Sequence, residues 1–273
     1  KSLDLSDITT NISLKSFINN QFSIHDLKIS TKEIQIKDLI SLIRTVKRSP
    51  QLFILDSVTK AGLISANINL MFDLDGEIKK NYQINGAIKK AKFNIFKKVE
   101  IENLNLSFDI SKKQLTLRKV ETDLNSVKLR SPLIQIEEKK NKFFINGRVI
   151  NDQQNFDIDK LKPILGGFLS TIETEKIDFN STNTFSFNIN KNLKLNDLKL
   201  ETNLNLKNFK IVKNPLDLKT FLPNHNEQVN LIEHKIKIKL SKDILDIKGK
   251  GDIYIGDEPE QLAYKINNND GTI

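Results

Sequence analysis

The sequence predicts a mainly β fold of antiparallel strands with two or three short helices. Three observations predict it. Apolar residues recur at every second position over long stretches, the period of a pleated strand. Short polar turn sequences separate those stretches, and connections that short join antiparallel neighbours, because parallel pairs need long crossovers. Hydrophobic residues make up only 38% of the 273 residues, so much of each element must face water.

In Ile101-Glu102-Asn103-Leu104-Asn105-Leu106-Ser107-Phe108-Asp109-Ile110, the residues Leu104, Leu106, Phe108 and Ile110 point one way. Leu115-Thr116-Leu117 and Val127-Lys128-Leu129 repeat the pattern, as do Leu193, Leu195, Leu198, Leu200, Leu204 and Leu206 further on. Phase slips at Asn196-Asp197 and Lys207-Asn208 mark turns or bulges. Lys235-Ile236-Lys237-Ile238-Lys239-Leu240 sets lysine on one face and aliphatics on the other, where a helix would scatter the lysines around its axis. Polar connections follow at Asp73–Gly76, Ser111–Lys113, Glu137–Asn141, Asn190–Asn192 and Ser241–Asp243.

Three segments break the alternation. Ile36–Arg44 carries Leu39, Ile40, Leu42 and Ile43 on a helical stripe with Asp38 near its start. A helical insertion is expected over 157–172, where Asp159 could cap and Pro163 fits a first turn. Pro215–Leu222 reads as a third short helix or turn. A weak repeat links Tyr82–Ile88, Phe144–Val149 and Asp246–Ile253, each with glycine at an inward position, where a missing side chain lets a sheet bend.

Chemistry-bearing patterns are scarce, and the chain reads as non-catalytic, with no cofactor and no metal. There is no cysteine, so no disulfide, thiolate ligand or cysteine nucleophile, which fits a periplasmic protein. His25, His225 and His234 are far apart and lack metal-ligand spacing, so each reads as an ordinary surface residue. No nucleophile elbow, phosphate loop or dinucleotide fingerprint occurs. The net charge of +9 raises nucleic acid as a partner. Lysine, however, greatly outnumbers arginine, and asparagine and isoleucine are equally inflated, the signature of AT-rich codons. The lysines are therefore expected on solvated strand faces, with no nucleic acid bound. Phe185-Ser186-Phe187 alternates as core and not as a stacking platform. The longest apolar cluster, Ile164–Leu169, falls far short of the ~18 to 20 residues of a spanning helix. The first residue is Lys1, and both ends are read as cuts in a longer extracytoplasmic chain, with a signal or membrane anchor expected upstream.

The runs Ala61–Leu70, Tyr82-Gln83-Ile84-Asn85-Gly86 and Asn103–Phe108, with Thr122–Pro132 closing in Phe144-Ile145-Asn146-Gly147, resemble AsmA-like proteins of the YhdP and TamB branch, bridge-like lipid transfer proteins. The resemblance implies a long, twisted antiparallel sheet curled into an open groove, with 1–273 as one continuous fragment of it. It also implies a periplasmic location in a Gram-negative bacterium, with the parent chain anchored in the inner membrane through segments outside this sequence. The implied work is carriage of phospholipid between inner and outer membranes, for outer-membrane biogenesis or maintenance. Its partners would be phospholipid acyl chains. On that reading the groove lining is Leu104, Leu106 and Phe108, then Leu193, Leu195, Leu198 and Leu200, then Ile236, Ile238 and Leu240. Two other folds share the alternation. One is a closed β-sandwich serving as a protein-interaction module of the cell envelope without lipid cargo. The other is an outer-membrane barrel, which lacks its Trp and Tyr girdles here. The low apolar fraction favours the open groove.

Overall fold

The computed structural model describes residues 5–19, 21–46, 49–79, 81–95, 99–140, 142–160, 176–190, 192, 194–212, 228–242, 244–254 and 258–268. In chain order its elements begin with β1 (Leu5–Ile12), α1 (Leu14–Ile18), β2 (Ile24–Thr31), β3 (Ile34–Gln35), α2 (Ile36–Val46) and α3 (Pro50–Val58). Then come β4 (Thr59–Met71), β5 (Gln83–Ile95), β6 (Val99–Ser111), β7 (Gln114–Leu124), β8 (Val127–Lys139) and β9 (Lys142–Asp157). The last five are β10 (Lys176–Asn190), β11 (Leu195–Val212), β12 (Gln228–Ser241), β13 (Ile244–Tyr254) and β14 (Pro259–Asn268).

The fold is mainly β, as the alternation predicts. One 14-stranded sheet runs in chain order from β1 to β14, with β3 set aside on β4. β1 and β14 are its edges, so it is an open antiparallel sheet and not a barrel. From β4 onward the strands have ten to eighteen residues, against a typical five or six. Their length explains the phase slips. Asn196-Asp197 and Lys207-Asn208 are bulges inside the single strand β11, with Asp197 at φ 52° and register shifts on β10 at both places. Such bulges bend a strand and increase its twist, which curls the sheet. Lys112 and Lys242 take positive φ in the tight turns after β6 and β12. β8 runs on through Glu137 and Glu138, so its turn starts later than the sequence suggests.

Contacts divide the chain into two compact units. The first is Lys1–Asp123 with Pro132–Phe144, and the second is Leu124–Ser131 with Ile145–Ile273.

In the first unit α2 lies where the helical stripe predicts, with Asp38 in its first turn, where a carboxylate favours the positive end of the helix. Ile36 and Ile40 are its buried side chains, packed with Ala91, Ile64, Ile88 and Phe93, while Ile43 is exposed. Gly62, at φ 133°, lets β4 pass beneath this contact. α1 and α3 were not anticipated, yet both carry a start signal. Ser13 caps α1, and the Ser49 hydroxyl accepts from the Leu52 amide at 3.2 Å, with Pro50 in the first turn of α3. After β4, Asp73 Oδ1 accepts from the amides of Asp75 and Glu77 at 3.0 and 2.9 Å, and Gly76 at φ 85° completes the expected turn.

In the second unit a cluster of Ile158, Ile177 and Leu206 is buried against Phe179, Phe209 and Ile236. Of the helical insertion expected over 157–172, the described part is a single 3-10 turn, Ile158–Lys160. The remainder, and Pro215–Leu222, lie outside the described residues. No described helix is long and apolar enough to cross a membrane.

Candidate functional site

Directly opposed residues in an antiparallel pair share a face, so the registers convert sequence alternation into transverse rows. In the first unit five isoleucines line up across five strands: Ile8, Ile29, Ile68, Ile84 and Ile110. The row Ile34, Ile64, Ile88 and Leu106 lies on the same face. The opposite face carries Ser30, Asn67, Asn85 and Asp109 in register. One side is hydrocarbon and the other is polar.

The apolar side is only partly covered. Leu106 and Phe108 are buried in a cluster with Val120, against Ile64, Ile84, Leu115 and Ile134, while Leu104 is half-buried beside α2. The isoleucine row is more open, with Ile8 57% exposed and the other four half-buried.

The second unit repeats the arrangement. Phe185, Leu200, Leu240 and Leu245 form one row, and Thr202, Ile238, Ile247 and Ile266 the next. Leu204 and Ile236 belong to the row after that. The Asp197 bulge keeps Leu195 on this same face as Leu198 and Leu200 despite the odd spacing, since Leu195 opposes Ile189 as Leu200 opposes Phe185. Leu198, Leu200, Ile236, Ile238 and Leu240 are half-buried. Leu195 and Ile266 are 48% and 52% exposed. Of the sequence-predicted lining, Leu193 lies outside the described residues. The other nine fall on apolar faces, three in the first unit and six in the second.

The inward glycines have a use that sequence reasoning missed. A Cβ at Gly86 would stand 2.7 Å from Phe108 Cζ, at Gly249 2.0 Å from Tyr264 Cζ, and at Gly251 2.4 Å from the His234 ring. Each glycine seats a ring from the adjacent strand, which restores the apolar cover that the missing side chain forfeits. The available signal was glycine alternating with apolar residues on strands flanked by an aromatic ring.

His234 therefore needs correction. It was expected at the surface and is fully buried. It opposes Leu206 and keeps the phase of Ile236, Ile238 and Leu240, so plain alternation puts the imidazole on the apolar face, where Gly251 makes room for it. A carbonyl only accepts, so Nε2 carries the proton it donates to the Asp252 oxygen at 3.0 Å. Nδ1 has no partner among the described residues. Tyr264 lies 6.0 Å away, centroid to centroid, and burial pushes its phenol above the ordinary value. A raised folded value means that stability present below the ordinary phenol range is lost as pH climbs through it. Tyr264→Phe is accordingly expected to delete the latest step of an alkaline phenolate absorbance titration. An unchanged titration would contradict this burial.

The described residues contain no group of three or more His, Asp and Glu able to hold a metal. His25 Nδ1 sits 3.4 Å from Asp26 Oδ2 at an exposed position, and His225 lies outside the described residues. Asn11 donates to Asp26 at 2.7 Å, and this bond chiefly holds that carboxyl below its usual range. The crevice between α2 and α3 contains Arg44, already paired with Asp56 and stacked 5.6 Å from the Phe53 ring centroid. What remains is two part-exposed apolar sheet faces, suited to flexible hydrocarbon. No family model, curated protein or solved structure matches the chain.

Proposed function

We propose that the chain is a non-enzymatic lipid-conduit segment whose apolar sheet faces carry phospholipid acyl chains. The observation that carries this reading is the in-register row Ile8, Ile29, Ile68, Ile84 and Ile110, held half-open across five strands. Contiguous exposed apolar surface marks a site for an apolar partner. Burial against it is worth up to about 0.8 kcal/mol per methylene, and it is non-directional. A face with few polar groups therefore holds a chain without fixing its position, so the chain slides. The resemblance to AsmA-like proteins supports the setting: the periplasm of a Gram-negative bacterium, with the parent protein anchored in the inner membrane and phospholipid passing between inner and outer membranes.

Protein purified from a cell envelope is expected to release phospholipid on organic extraction, detected by mass spectrometry. A lipid-free preparation that also fails to take up a fluorescent phospholipid would overturn the reading and leave a protein-interaction module in its place.

A further inference from the structure

We propose that the polar face of β11–β14 docks on a membrane surface rich in anionic phospholipid. The inference uses the face opposite the apolar rows and does not depend on what those rows carry.

Pairing sets Asn203, Lys237, Lys248 and Lys265 in one row, and Asn205, Lys235, Lys250 and Ala263 in the next. Glu201, Lys239, Asp246 and Asn267 form a third, and Lys199 follows beside Ser241. Every lysine in these rows is exposed. Seven lysines thus share a face with three carboxylates, Glu201, Asp246 and, in the row beyond Lys250, Asp252, and the first two are engaged. Glu201 lies 2.7 Å from Lys237 and 4.0 Å from Lys239, while Asp246 lies 3.7 Å from Lys248. Lys235, Lys250 and Lys265 have no ion-pair partner among the described residues.

Like charges directly opposite one another destabilise a sheet. Here the pairs Lys237–Lys248, Lys248–Lys265 and Lys235–Lys250 are all of that kind. Lysine is equally common in the two units, 20 in the first and 18 in the second, so what sets this face apart is how the register groups them and not their number. In the first unit the corresponding row is Ser30, Asn67, Asn85 and Asp109, without a lysine. Lys89 and Lys92 there are matched by Glu33 and Glu102. On this face of the second unit the register sets lysine directly beside lysine.

Charge complementarity calls for an anionic counter-surface, and the face selects among such surfaces. Its rows hold no aromatic ring to stack a base and no arginine to fork onto one. They present ammonium groups on a lattice of roughly 4.8 Å across strands and about 6.7 Å along them. Mobile phosphate headgroups can adjust to such an array of point charges. A lysine near an anionic bilayer strengthens binding roughly fivefold, and salt screens the effect.

The test is co-sedimentation of the full chain with vesicles of equal parts phosphatidylglycerol and phosphatidylcholine. Binding is expected, weakening with salt and absent on pure phosphatidylcholine. Combined Lys235→Gln, Lys250→Gln and Lys265→Gln is expected to weaken it by about a hundredfold. Removing these charges relieves repulsion, so the melting temperature should hold. Lys15→Gln, Lys28→Gln and Lys79→Gln together remove the same charge from the first unit and should change binding less than about fivefold. Failure of the native chain to bind, equal losses from both triple variants, or equal binding to neutral vesicles would each overturn the proposal. Preference for duplex DNA over the anionic vesicles would replace it with a nucleic-acid surface.

Discussion

Ile238→Asp is expected to remove at least about nine-tenths of the phospholipid that co-purifies or crosslinks with the chain, while Lys237→Asp leaves most of it in place. The two residues are adjacent in β12 and point to opposite faces. Ile238 opposes Thr202 and Ile247, with Ile266 next in the row. A carboxylate there meets hydrocarbon on each occasion that lipid occupies the face, and burying a charge without a partner costs several kcal/mol. A loss of about 1.4 kcal/mol is already tenfold in affinity. Lys237 opposes Asn203 and Lys248 on the other side. Its exchange costs the exposed pair with Glu201, a contact of the kind worth roughly 0 to 1 kcal/mol. Ile238→Thr, which copies the residue opposite, keeps a β-branched side chain and is expected to fall between the two. Equal lipid recovery from Ile238→Asp and Lys237→Asp would remove the assignment of faces on which the proposed function stands.

The second large effect concerns stability. Gly62→Ala is expected to cost about 3 kcal/mol or more, because two penalties add. At φ 133° the backbone occupies a region that side chains rarely adopt. The new Cβ would also lie 2.7 Å from Ala91 Cα and 2.8 Å from Ile36 Cδ1. The Ala91 backbone belongs to fully buried β5 packing, and Ile36 anchors α2, so neither has free space to yield. A melting temperature lower by roughly 6 to 12 °C should result. Gly76→Ala is the control. Its φ of 85° also disfavours a side chain, but its nearest contact is the Phe22 ring at 3.1 Å, beside a surface turn. That substitution should cost about 1 to 2 kcal/mol. Matching shifts for the two variants would show that close approach to Ala91 contributes nothing.

Strand identity was legible because a pleat has a period of two and the chain declares it openly, most clearly at Lys235–Leu240. Relations between strands were not. Nothing local in Ile8, Ile29 or Ile68 says that they share a row, since register is settled by turn length and bulges at distant positions. The same blindness hid the like-charge pair Lys237 and Lys248. His234 was different: alternation back from Ile236 already puts it inward, and it was assigned to the surface by residue type and not by phase. Ile43, assigned to the inner stripe of α2, is exposed because the helix meets the sheet through Ile36 and Ile40. Leu106 and Phe108 were read correctly as inward, but their burial follows from contacts with β7 and β8 that no single strand reveals.

The strand order has a consequence for how such a chain is made and how it can vary. Each strand bonds to the strands next to it in the chain, apart from the short β3, so most pairings close over small sequence separations. Low contact order favours rapid folding, and hairpins can zip up from the N-terminus while translation continues. Nearest-neighbour pairing also makes stability close to additive along the chain, as in solenoid repeats. Duplication or loss of one hairpin pair would then alter span while leaving the surviving registers intact, so length becomes a property that selection can adjust in steps.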